Sequence, residues 1–256
     1  MKKYIPFLTI TAAAAILIFS CKKEYTNAAK TTDATSMAHL LIIDASPRFD
    51  SIFHHDSLNV YAGADKINAG LLGFGSAYPA TGTYAALAAG PQSIRLSVNA
   101  PSNSDSTVVS FDKTLEAGKY YTLLITDSIN SPRDSSKIWL QDNFPQPTAG
   151  PGTFYLRFMH AVMDGITDTV DLYSSRRNQV LFSKIKMDST TAFIGFPSIL
   201  NVQDTLYVKK TGGGTVLAKI AGAAFGDQQF YTAYYLGDTA VSPAARSRQL
   251  GIVRNK

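Results

Sequence analysis

LEAGKYYTLLIT, residues 115–126, decides the fold. Leu115, a turn glycine at Gly118 and Tyr121 three residues later lead into a short apolar run. The arrangement resembles the tyrosine corner of Greek-key sandwiches, in which a phenol bonds back to backbone near the turn. Gly118 accepts a positive φ at little cost. The run that follows is rich in Tyr, Thr, Leu and Ile and reads as a strand. A second version stands at AFGDQQFYTAYYLGD, residues 224–238, where Gly226 precedes Tyr231 by five residues and predicts a looser corner. Gly118, Tyr121 and Tyr231 are therefore structural candidates.

Outward from these two stretches, the chain repeats itself. HLLIIDASP (His39–Pro47) parallels YLRFMHAVM (Tyr155–Met163), and SLNVYAG (Ser57–Gly63) parallels TVDLYSS (Thr169–Ser175). The offset is 116 from Asp44 to His160, 112 from Tyr61 to Tyr173 and 110 from Thr122 to Thr232. A slowly drifting offset is what duplication followed by loop insertion and deletion leaves. Repetition at domain length predicts two tandem domains rather than a solenoid, whose units run about 20 to 50 residues. Between them, DNFPQPTAGPG (142–152) packs three prolines and two glycines into eleven residues. That composition reads as a linker. The expected boundaries are 37–143 for the first block, 144–152 for the linker and 153–256 for the second block.

Each block reads as β. Ile94, Leu96 and Val98 alternate with Arg95 and Ser97, and Leu206 and Val208 alternate with Tyr207 and Lys209. A period of two marks a half-buried strand. No amphipathic helix is apparent after residue 36. About seven short strands in about 100 residues predict a sandwich of two antiparallel sheets.

The other end of the chain gives an address. Lys2 and Lys3 precede an uncharged, mostly apolar run from Ile5 to Phe19, and Ser20 precedes Cys21, the only cysteine. A charged start, a short apolar core and a small residue at a boundary describe a secretory signal, here 1–20. The run of about 15 residues falls short of a bilayer span. Ile18-Phe19-Ser20-Cys21 resembles a bacterial lipobox, with Ile18 suiting the apolar third position before the cut and Phe19 bulkier than the usual small residue. A lone cysteine in an exported chain asks for an explanation, and lipidation of Cys21 supplies one. Two or more acyl chains hold a protein firmly to a membrane. Residues 21–36 then form a lipidated cysteine and a polar, flexible tether, too poor in large apolar side chains to fold.

The whole chain carries a formal net charge of +5, and losing Lys2 and Lys3 with the signal leaves +3. With no dense Lys/Arg cluster, this excludes nucleic acid as an expected partner.

Together DASP and MHAV, NVYAG and AGKYYTLL resemble domain-of-unknown-function family 4397 over residues 37–253. The second block departs where His160-Ala161-Val162-Met163 replaces the usual His-Ala-Ser-Pro. The resemblance implies tandem Ig-like β-sandwiches in exported bacterial proteins, often lipoproteins of Bacteroidota. It carries no established activity and no functional residues.

No catalytic set emerges, and neither a cofactor nor a metal is expected. His54-His55-Asp56 is the most tempting metal group, but adjacent strand residues point to opposite faces, so a polar loop tip is the expectation. His39 and His160 read as hydrogen-bonded structural residues. GFGSAY (73–78) lacks the nucleophile-elbow pattern, and TGGGTVLAK (211–219) lacks phosphate-loop spacing and reads as a hairpin. Asp164, Asp168 and Asp171 lack the EF-hand pattern. Aromatics carry the remaining binding hint: thirteen Tyr and fourteen Phe, with Tyr78, Tyr84, Phe193 and Phe196 near Gly or Pro where loops present them.

The functional expectation is a lipid-anchored, extracytoplasmic binding or adhesion module, non-enzymatic, with a glycan or surface protein as ligand. Lys22, where an inner-membrane protein often carries Asp, favours the outer membrane. An envelope scaffold or spacer is the first alternative. A polysaccharide hydrolase, which needs two carboxylates about 5 to 9.5 Å apart, is the second.

Overall fold

The computed structural model describes residues 36–47, 57–80, 83–98, 106–126, 137–147, 152–162, 169–198, 202–238 and 246–256. Residues 1–35, which hold the stretch read as a signal peptide, Cys21 and nearly all of the expected tether, and the His54-His55-Asp56 group, Asp164 and Asp168 lie outside the described residues.

The first half contains β1 (Met37–Asp44), β2 (Ser57–Ala62), β3 (Asp65–Lys66), β4 (Leu72–Gly73), β5 (Ala77–Tyr78), β6 (Ala85–Ala88), β7 (Gly90–Val98), β8 (Ser106–Leu115), β9 (Tyr120–Ile125) and β10 (Lys137–Asp142). The second contains β11 (Thr153–His160), β12 (Val170–Ser174), β13 (Gln179–Ile185), β14 (Ser189–Thr190), β15 (Ile194–Pro197), β16 (Asp204–Lys210), β17 (Val216–Ala223), β18 (Phe230–Leu236) and β19 (Gln249–Arg254). Among the described residues the protein is a β-sandwich protein without an α-helix.

Each half is built from two sheets. One sheet of the first half orders β10-β9-β1, with β5 and β6 both on the far edge of β1; the other orders β3-β2-β7-β8. The second half repeats this as β14-β11-β18-β19, with β15 also on β11, and β13-β12-β16-β17. Pairing is antiparallel except once in each half, where β1 runs parallel to β9 and β11 to β18. Parallel neighbours need a long crossover. Here the crossover carries the whole of the opposite sheet, so the last strands return beside the first.

Both corners close on backbone. The Tyr121 hydroxyl accepts the Glu116 N–H at 3.0 Å, and the Tyr231 hydroxyl accepts the Gly226 N–H at 2.7 Å. Each spans five residues, so the second is no looser than the first. Gly118 (φ 72°) sends its N–H to the Met37 carbonyl, while at the equivalent place Gln228 (φ 55°) sends its own to Thr153. The left-handed position of the second corner is thus Gln228, not Gly226.

Residues 34–256 fall in one compact unit. Alternate side chains of β1 show why. Ala38, Leu40 and Ile42 enter a core with Leu58, Val60, Ile94, Leu96 and Leu123. Leu41 and Ile43 enter a different one, with Leu124, Met159, Ala161, Tyr234 and Leu236. In the second half, Phe154, Leu156, Phe158, Leu172, Leu206, Val208 and Tyr235 form a third cluster. The sheets containing β1 and β11 therefore pack face to face, each with a core on both sides. Phe144, in the segment read as a linker, lies with its ring 5.3 Å from Phe193 and 4.9 Å from Phe230.

Candidate functional site

The seam between the two inner sheets carries a buried polar ring. Arg157 of β11 is 3% exposed where its register equivalent in β1 is Leu41. Its Nε donates to Thr232 Oγ1 at 2.8 Å, one terminal nitrogen to Thr122 Oγ1 at 2.8 Å, and the other to Asp142. Asp142 also accepts from Tyr84 at 2.6 Å and from Thr122 at 2.6 Å. Thr232 donates to Asn255 Oδ1 at 2.6 Å, and Asn255 Nδ2 donates to the Tyr84 hydroxyl at 2.8 Å, closing the ring. Every charge here is paired, as burial demands. Burial, then the Asp142 charge, drives the Tyr84 hydroxyl well above the usual phenol range, so it stays a donor.

The outer end of this ring opens into a cleft of about 280 Å³ lined by His39, Thr83, Tyr84, Tyr120, Arg254, Asn255 and Lys256. Strand pairing places His39 opposite Tyr120, and their rings stack at 4.4 Å, 13° from parallel. Tyr84 meets Tyr120 edge to face at 5.0 Å. Lys256 Nζ stands 5.5 Å from the Tyr120 ring centre and 5.6 Å from that of Phe144, within cation–π range. Arg254 and Lys256 are exposed. Burial, with Lys256 second, lowers the His39 pKa and disfavours the charged imidazolium. Chemically the cleft offers aromatic faces, neutral hydrogen-bonding groups and two cations.

A larger hollow of about 390 Å³ lies on β7 and β8, lined by Pro91, Gln92, Ser93, Asp112, Lys113 and Thr114. It has no aromatic face and one charge of each sign, so it offers less to a specific ligand.

The other sequence candidates are distributed elsewhere. Tyr121 and Tyr231 serve the corners. Tyr78 donates to the Ile67 carbonyl. Phe196 packs beside Phe154 at 5.8 Å. Ser76 of GFGSAY turns its hydroxyl onto the Gly73 carbonyl at 2.5 Å, in a tight turn between β4 and β5. TGGGT forms the hairpin between β16 and β17. Asp171 accepts from Lys184 N at 2.8 Å and Thr211 Oγ1 at 2.7 Å. His160 is buried, with Nδ1 3.4 Å from the Ile185 carbonyl. Of these aromatics, Tyr84 and Phe193 each lie beside Phe144 at the seam. His39, Tyr120, Arg254 and Lys256 were not singled out as ligand-binding. Their only sequence signal was a shared position at strand starts and ends.

Asp44, at the far end of β1 from His39, is 1% exposed. Burial raises its pKa to about 7, against the opposing effects of the Ser46 N–H and Arg246. It is enclosed within the fold.

This is a β-sandwich protein with a candidate ligand cleft at an internal seam. A family model described as a domain of unknown function (DUF4397) matches residues 38–173, and the chain belongs to that family. No curated protein matches the chain.

Proposed function

We propose that this protein is a lipid-anchored, non-enzymatic binding module of the cell envelope, holding a glycan or protein ligand in the seam cleft. The observation that carries the reading is the cleft itself, where stacked His39 and Tyr120 stand beside Arg254 and Lys256. Aromatic faces with a few convergent polar groups are the usual composition of a binding site. The anchor is supported by the charged start, the apolar run and Ser20-Cys21. Two copies of the family domain are supported by equivalent stacked pairs, His39 on Tyr120 and Tyr155 on Phe230. One observation favours an envelope scaffold as a second reading: the shared core at the seam makes one body from two sandwiches.

The test is protease added to intact cells carrying the wild-type chain or Cys21→Ala. The reading expects digestion of the anchored form without lysis and release of Cys21→Ala into the soluble fraction. Protection until the outer membrane is opened would remove surface presentation and leave the scaffold role. Retention of Cys21→Ala on the membrane would overturn the anchor.

A further inference from the structure

The two halves place equivalent residues around the seam in two niches, and the niches differ. In the second half the positions of His39, Tyr84 and Tyr120 are taken by Tyr155, Phe193 and Phe230, by strand register. Phe144 lies between the two niches: it stacks on Phe193 at 29° and stands edge-on to Phe230, and it also stands edge-on to Tyr120 at 5.3 Å and to Tyr84 at 6.3 Å. The chain thus seats one of its own rings between the two, in contact with both. The first-half niche remains a cleft, and each of its three rings carries a polar atom. Thr83 and Asn255 add further polar groups. The shape that fits is a ring; the lining suits a ring with hydroxyls.

Charge narrows the class. Two cationic side chains and no acidic side chain line the cleft. The buried ion pairs Arg157–Asp142 and Arg177–Asp204 involve neither Arg254 nor Lys256. The nearest carboxylate in the network, Asp142, is fully buried and already held by Arg157. A sugar acid carries its carboxylate or sulfate one or two bonds from the ring. A ring laid against His39 and Tyr120 brings such a group to Lys256 Nζ, which stands 5.5 Å from the Tyr120 ring centre.

Resting on the binding reading above, we propose that the seam cleft takes an acidic saccharide. The sugar ring lies against the His39–Tyr120 pair, and its carboxylate or sulfate pairs with Arg254 and Lys256.

The experiment is calorimetric titration of the full chain in detergent with oligogalacturonate, heparin oligosaccharide and carboxyl-reduced, neutral oligogalacturonate. The expected result is at least tenfold tighter binding of an acidic member than of the neutral one, weakening as salt rises. Tyr120→Ala and the pair Arg254→Ala/Lys256→Ala should each lower acidic-sugar affinity at least tenfold. Tyr120→Phe, which keeps the ring, should retain binding and so separates stacking from a folding defect. Equal or tighter binding of the neutral sugar, lost in Tyr120→Ala, would overturn the acidic class and leave the binding module standing. Acidic-sugar binding indifferent to all these variants would also overturn it. So would failure to bind any saccharide, after which the envelope reading still stands or falls on the protease result.

Discussion

Replacing Arg157 with leucine, the residue its counterpart Leu41 already is, isolates what the seam network contributes. Arg157 is 3% exposed and donates to Thr232, Thr122 and Asp142. Its guanidinium also lies 4.6 Å from the Phe193 ring centre. Leucine would fill part of the space but leave the Asp142 carboxylate buried with only Tyr84 and Thr122 as donors. Removing one partner of a buried pair typically costs about 3 to 5 kcal/mol, because an uncompensated charge remains. The predicted loss for Arg157→Leu is about 4 kcal/mol, read by urea denaturation followed by circular dichroism. The decisive arm adds Asp142→Asn, since the counterpart of Asp142 is Asn255 by register with Phe230. With no charge left to strand, the double variant should recover about 2 kcal/mol or more of that loss. A double variant no more stable than Arg157→Leu alone would refute the argument that the cost comes from the stranded charge. A single variant costing under about 1 kcal/mol would show that the pair is not buried as described.

Asp44 gives a pH signature. Its folded pKa of about 7 lies above the ordinary 3.8, so ionising it within the fold is penalised. The penalty is absent below pH 3.8, grows between there and pH 7, and is complete above. The Asp44→Asn variant should match the wild type at pH 4 and exceed it at pH 8 by up to about 4 kcal/mol, the full linkage value; a difference independent of pH would refute this. At Gly251 an added Cβ would meet the Tyr234 ring at 2.4 Å, and the hydroxyl of that ring donates across the seam to the Gly75 carbonyl at 2.9 Å. Gly251→Ala should cost about 1 to 3 kcal/mol by overpacking, seen as a lower denaturation midpoint. Gly118 has open space around it at φ +72°, so Gly118→Ala carries a backbone penalty alone. A loss of about 1 kcal/mol is expected, measured by the same denaturation.

The outer sheets were legible in the sequence because each shows one face to solvent. Ile94, Leu96 and Val98, like Leu206 and Val208, are buried while their neighbours Arg95, Tyr207 and Lys209 are half-exposed; Ser97, read as the other outward residue, is buried instead. The tyrosine corners were legible because a turn and a tyrosine at fixed spacing have a local cause. The face-to-face seam was not. LLII in β1 and YTAYYL in β18 are continuous apolar runs, the mark of strands buried on both faces, and they were compatible with two separate domains. Arg157 inside such a run was the available warning, since a cation in an apolar strand implies a buried partner. The cleft was less legible still. His39, Tyr120 and Lys256 are far apart in sequence and ordinary in type, and only the parallel pairing of β1 with β9 and the return of β19 bring them together. Tyr84 was marked by its place near Gly82 and Thr83, but not by any hint of its hydrogen bonds to Asp142 and Asn255.

The most direct test of the account is whether ligand enters the seam cleft. We would follow the His39 and Tyr120 ring resonances by NMR in the full chain while titrating the acidic and neutral saccharides and acidic peptides. The account predicts that one of these shifts both rings saturably, and that the buried His160 ring, at the opposite end of its strand, stays unmoved. Saturable binding that leaves His39 and Tyr120 where they were would contradict it.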